Sequence, residues 1–177
     1  EKEYKPEAIA AIEENVNEGD HVVEVATGHG IFSMVCAREG ATVDTYEGAG
    51  RMVEKATGFH ELVGAADAVT VHHAVVGEPR ELYGSDLEAS AVAPADLPGC
   101  DVLLLVCEGA ELDIIRGVNP TPPTIIVETH PSHGAPTHAV ERLLSNHGYK
   151  IASKTLMGPE THVLVGARLR AYSEDSE

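Results

Sequence analysis

Residues 149–169 read YKIASKTLMGPETHVLVGARL. Two strand-length runs, 149–156 and 162–169, flank the turn Met157-Gly158-Pro159-Glu160. A connection this short can only join antiparallel neighbours, because a parallel pair needs a crossover of about a dozen residues or more. Everything upstream has a different character. Five strand-like runs, at 21–26, 41–47, 68–76, 101–107 and 124–128, alternate with helical stretches. That alternation predicts a parallel sheet wound on both faces. The expected fold is therefore α/β: a doubly wound, Rossmann-like sheet of seven strands, mostly parallel, ending in a C-terminal antiparallel hairpin.

The punctuation supports these elements. Pro6 opens a helix at a favoured first-turn position, and Ala8, Ile9, Ile12 and Val16 follow at helical spacing. Further helices are expected over 31–38, 48–66, 110–116 and 137–146, the last closed by His147-Gly148. The run DVLLLVC at 101–107 is apolar throughout, as a strand buried on both faces must be. Residues 77–99 are polar and rich in Gly and Pro, and form the longest expected loop, with room for one helical turn. The whole reads as one domain: an N-terminal helix over 1–19, a core over 20–170 and an acidic tail over 171–177.

The chain has 177 residues and a net charge of −17, with 43% hydrophobic residues. That apolar content excludes a disordered acidic tail. No apolar run reaches the roughly 18 residues of a membrane span. Cys36, Cys100 and Cys107 are too few and too odd in number for a disulfide framework, so a reducing, cytoplasmic setting is expected. The charge disfavours nucleic acid and anionic membranes as partners. With five lysines, no Trp and 4% aromatics, the composition also resembles that of a halophile's protein. In molar salt the Debye length shrinks to about 3 Å, so much of the acidity is explained by habitat rather than partner.

The first strand runs into Glu24-Val25-Ala26-Thr27-Gly28-His29-Gly30. Glycines at such a strand-to-helix turn let the backbone pass close under a ligand. A dinucleotide fingerprint read from Gly28 would need Gly where Ser33 stands. The second strand ends Tyr46-Glu47-Gly48. Glu47 lies 19 positions after Gly28, close to the spacing at which an acid takes ribose hydroxyls. The third strand ends at Val75-Val76, an apolar seat for adenine, and Asp86 in the next loop is within reach of its amino group.

This layout, five βα units and a terminal hairpin, resembles class I S-adenosylmethionine-dependent methyltransferases. Glu24 to Gly30 is similar to their E-x-G-x-G-x-G pattern, with Ala26 at the first Gly. The segment 101–112, DVLLLVCEGAEL, continuing to Ile114, Ile115 and Gly117, resembles the FkbM-family signature D-F-L-K-I-D-V-E-G-A-E-L. Glu128-Thr129-His130 is similar to that family's E-x-H, and Leu143-Leu144 and Gly148-Tyr149 to its late helix and turn. The resemblance spans about residues 20–168. It implies S-adenosylmethionine as cofactor, held by Glu24, Ala26, Thr27, Gly28, His29, Gly30, Glu47, Gly48, Val75 and Asp86, with Glu24 toward the methionine end. It implies methylation, here expected on an oxygen of a small-molecule or sugar-like acceptor. Leu104 and Val106 replace the family's Lys and Asp, which keeps open a domain that binds the cofactor without catalysis.

Glu108 survives at the strand's carboxyl end, where ligands of open α/β sheets bind, although acids there also suit the first turn of a helix. His130, with Glu128 orienting it, is the candidate general base, since its pKa lies near neutrality. His130, His133 and His138 match no metal-ligand spacing, and no metal is expected. A nicotinamide oxidoreductase is a third alternative, disfavoured by Ser33 and the hairpin. The sequence leaves the oligomeric state open, a homodimer included.

Overall fold

The computed structural model describes residues 4–77 and 89–168. Its sheet is an eight-stranded row in the order β4-β3-β2-β1-β5-β6-β8-β7. The strands are β1 (His21–Val25), β2 (Thr42–Glu47), β3 (Val69–Val76), β4 (Ser90–Val92), β5 (Val102–Leu105), β6 (Thr124–Glu128), β7 (Lys150–Gly158) and β8 (Thr161–Ala167). All pairs from β4 to β6 are parallel. β8 then inserts antiparallel beside β6, with Val127 opposite Leu164, and β7 forms the edge.

The eighth strand corrects the expected seven. Ser90–Val92 lies within the stretch expected to be loop, and pairs through its backbone with Ala74–Val76 of β3. Three residues are too few to display a period of two, so nothing in their side chains announces them.

Two apolar layers hold the sheet. On one face α1 (Pro6–Asn15) and α2 (Ile31–Arg38) bury Ala8, Ile12, Phe32 and Val35 against Val22, Val43, Leu104 and Ile126. On the other, α4 (Glu111–Gly117) and α5 (Thr137–Asn146) bury Ile114, Ile115, Val140 and Leu144 against Val23, Leu103, Leu105 and Val127. α3 (Gly50–Val63) buries Ala56 and His60. β1 is flanked by β2, which leads outward one way, and β5, which leads outward the other. Connections therefore diverge at the carboxyl ends of β1 and β5, leaving the crevice in which such sheets bind ligands. Among the described residues no helix is long and apolar enough to cross a membrane. Asp86 and the tail 171–177 lie outside the described residues.

Candidate functional site

The turn after β1 is bent by three residues of positive φ: Ala26 at 74°, Gly28 at 55° and Gly30 at 82°. Gly30 is obligatory twice over. A Cβ there would stand 2.5 Å from Nε2 of His60, and the left-handed backbone is strained for any side chain. His60 is buried, with Nε2 at 3.0 Å from both the Gly30 carbonyl and the Ser33 hydroxyl. Burial holds its pKa below the ordinary histidine value, so the ring is neutral.

The loop is tied to the end of β2. The amides of Ala26 and Thr27 donate to the Tyr46 carbonyl at 2.9 and 3.3 Å. Glu47 receives the Gly28 amide on Oε2 and the Ala49 amide on Oε1, both at 2.9 Å. Each carboxylate oxygen has a second lone pair, so a braced Glu47 still has two acceptor sites to offer.

Above these strand ends lies a cavity of about 440 Å³. Ala26, Thr27, Gly28 and His29 line it from the β1 turn, Glu47 and Gly48 from β2, Val75 from β3, and Glu108 from beyond β5. Glu108 has φ 38°, an uncommon conformation for a residue with a side chain. The next residue, Gly109, packs so closely that a Cβ would stand 2.4 Å from the His133 carbonyl. No hydrogen bond or ion pair engages the Glu108 carboxylate among the described residues.

Three expected site residues lie elsewhere. Gly30 stands behind the cavity, against His60. Glu24 is fully buried beneath the sheet, where the Thr45 hydroxyl donates to Oε2 at 2.6 Å and Oε1 has no partner among the described residues. Burial pushes its carboxyl up to about 8, so it is protonated at neutral pH. It does not line the cavity; Thr45 lies 2.5 Å from the Thr27 hydroxyl, which reaches the cavity wall in its place.

The third is His130, and here the base expected from sequence becomes a cation. Its Nδ1 is bonded to Glu111 Oε1, and its Nε2 lies 3.5 Å from Glu128 Oε1. Burial alone would lower its pKa, but the two carboxylates outweigh burial and raise it to about 9. A protonated imidazole facing two carboxylates has no lone pair with which to accept a substrate proton. The segments expected as separate matches, Glu-Gly-Ala-Glu-Leu and Glu-x-His, thus meet as one buried ionic unit. Glu128 is also bound by Lys5 at 2.7 Å; burial would raise its pKa, yet His130 and Lys5 hold it below the usual carboxylate value. Among the described residues no group of three or more His, Cys, Asp or Glu is arranged to hold a metal ion.

Sequence reasoning missed Tyr4, Lys5 and Phe32 as cavity wall. Cys107, two residues past the end of β5, also lines the cavity. Tyr4 and Lys5 carried no local signal.

No protein-family model matches the chain, and no curated protein matches it. Solved structures do match. A ribosomal protein L11 methylase from Lactobacillus delbrueckii subsp. bulgaricus superposes with a TM-score of 0.65 at 19% identity, over 91% of this chain and 76% of that one. Magnesium protoporphyrin IX methyltransferase from Synechocystis PCC 6803, crystallised with bound S-adenosylmethionine, gives 0.64 at 17%, over 93% and 78%. An S-adenosylmethionine-dependent O-methyltransferase from Thermotoga maritima gives 0.64 at 12%, over 97% and 68%. At such identities the likeness is one of fold: the chain has the Rossmann-like architecture of these methyltransferases.

Proposed function

We propose that the protein is an S-adenosylmethionine-dependent methyltransferase acting on an oxygen of a small-molecule or sugar-like acceptor, in the manner of the FkbM-like enzymes its motifs resemble. One observation carries the reading. Glu47 is braced by two backbone amides at the end of β2, facing a glycine turn at the end of β1, with a free acceptor site on each oxygen. That is the chemistry a ribose diol requires. The adjoining turn presents Gly28 to the cavity, so its backbone can approach a ligand closely.

In this assignment Glu47 holds the ribose hydroxyls and Val75 packs on the base. The β1 turn passes under the ligand between them. The bound cofactor would supply an activated methyl group, so much of the protein's task is alignment. Glu108, which lines the cavity with its carboxylate unengaged among the described residues, is assigned to take a proton from an acceptor hydroxyl, because His130 is occupied by its carboxylates. The halophile-like surface belongs to the same proposal: the protein works in concentrated salt, in the cytoplasm, without a nucleic-acid or membrane partner.

The test is a calorimetric titration in concentrated potassium chloride with S-adenosylmethionine and NAD. Binding of the first alone is expected. Binding of NAD alone would replace this reading with an oxidoreductase. A second reading, a cofactor-binding domain without catalysis, is favoured by the β5 replacements: Leu104 is packed in the core and Val106 adds an apolar cavity wall. Label from a tritiated methyl donor appearing in no acceptor fraction, despite tight cofactor binding, would support it.

A further inference from the structure

The strand order lays the site out as a row. β3, β2, β1, β5 and β6 lie side by side, so four inter-strand steps of about 4.8 Å separate the Val75 end from the Glu128 end. Val75 and Glu47 occupy one end, and Glu108 stands past the middle. A segment that no motif marks, Tyr4-Lys5, lies immediately before α1; both residues line the cavity, and Lys5 reaches across to the end of β6, which itself contributes no wall. Lys5 is left-handed, with φ 42°. Its ammonium donates to Glu128 Oε2 at 2.7 Å. Through Glu128 it joins His130 and Glu111.

The fold itself asks little of this segment. α1 is already held by Ala8, Ala11 and Ile12, all buried. The Lys5 side chain is 33% exposed, so it is not part of the apolar packing that holds α1. The Tyr4 ring is 47% exposed, with its centroid 5.6 Å from that of the buried Phe32, also a cavity wall. An amphipathic ring left half in solvent, against a cavity, gains contact area only when something fills that cavity.

We propose that Tyr4 and Lys5 belong to the ligand site: Lys5, anchored through Glu128 to His130 and Glu111, is a positioning residue that sets the Tyr4 ring beside Phe32 as a cavity wall, on the side away from Val75 and Glu47. The inference rests on the S-adenosylmethionine reading above. With the nucleoside at the β3–β2 end, the strap covers the amino-acid end of the cofactor and the place where an acceptor meets the methyl group. The buried ionic unit at β6 then has a purpose: it fixes the anchor of a wall that the main core does not hold.

The strand layout also supplies the test. The wild type, Lys5→Met, Lys5→Arg and Tyr4→Ala are titrated by calorimetry with two probes. S-adenosylhomocysteine carries the amino-acid end, and 5′-methylthioadenosine lacks it. Lys5→Met and Tyr4→Ala are each expected to weaken the first probe about tenfold and the second less than about twofold, while Lys5→Arg restores wild-type affinity. Tyr4→Ala is expected to melt within about 3 °C of the wild type; Lys5→Met leaves the buried Glu128 with only its 3.5 Å contact to His130 and is expected to melt lower, so affinities are read well below both melting temperatures and the ratio of the two probes separates the effect from unfolding. If the wild type binds neither probe, the S-adenosyl reading itself fails. If the wild type binds, and the variants leave both affinities unchanged or weaken both probes equally, the strap is overturned while the cofactor reading stands.

Discussion

Two corners of the same sheet handle their carboxylates in opposite ways. Among the described residues, no cation engages Glu24 or Glu47 at the β1–β2 corner. Glu47 is held by backbone amides, and Glu24 is kept neutral by burial. At the β5–β6 corner Glu111 and Glu128 are matched by His130 and Lys5. In the function proposed above, the difference separates the acid assigned to a ligand, Glu47, from acids that serve the scaffold. An acid braced by amides keeps lone pairs for a visitor, whereas acids bound to cations are already committed. Removing groups should therefore hurt folding most at β5–β6 and ligand binding most at β1–β2.

The largest expected effect is at the ionic corner. Glu111→Ala removes a fully buried partner of His130 and leaves a part-buried cation with only the longer contact to Glu128. Breaking a buried pair from one side typically costs about 3 kcal/mol or more. Chemical denaturation at neutral pH is the measurement, and a loss under about 1 kcal/mol would show that this corner is not a paired unit.

Glu24 comes next, and its effect depends on pH. Its folded pKa, about 8, lies above the ordinary 4.5, so the folded state binds the extra proton between those values. Stability should fall as pH rises through that window and level off above it, because the fold keeps a proton that the unfolded chain has already lost. His130, raised from 6.5 to about 9, acts in the same direction: its contribution is complete below 6.5 and lost as pH rises through 9. Glu24→Gln can still accept the Thr45 hydroxyl but cannot ionise. Its profile from pH 5 to 6.5 should therefore lack the decline that Glu24 gives the wild type, leaving the rise contributed by His60, whose folded pKa lies below 6.5. Parallel curves would mean that Glu24 is ionised in the fold.

For binding, Glu47→Ala is expected to weaken S-adenosylmethionine at least tenfold, about 1.4 kcal/mol, by removing both the ribose acceptors and the brace on Gly28. Unchanged affinity would move the ribose elsewhere.

How much of this was legible follows from how local each signal is. α2, β6 and α5 fall at the residues expected for them, because the turn at Gly30 opens α2, His147-Gly148 closes α5, and 124–128 is a run of strand length. Glu47 was legible too: β1 and β2 are in-register neighbours, Val25 opposite Tyr46, so sequence spacing becomes spatial facing. β4 was hidden, since its reason to be a strand is the open edge of β3 and not its own side chains. The role of His130 was misread for a related reason. Its position past a strand end looks catalytic, and only the packing of α4 against β6 brings Glu111 to it. Lys5 could not be found at all from local sequence, because its partner Glu128 is 123 positions away.

The smallest effect tests the β1 turn itself. Ala26 occupies the first position of the glycine pattern and adopts φ 74°. A left-handed residue with a Cβ costs roughly 1–2 kcal/mol. Glycine relieves that cost but adds about 0.4–1 kcal/mol of unfolded-chain entropy. The net expectation for Ala26→Gly is a gain of about 0.5–1 kcal/mol, or a melting temperature higher by roughly 1–4 °C for a chain of this size. The amides of Ala26 and Thr27 keep their bonds to the Tyr46 carbonyl in either case, so cofactor affinity should not fall. A destabilised variant would show that the Ala26 methyl contributes more through its packing against the core beneath the turn than its backbone loses in strain, and that this corner trades conformational ease for contact.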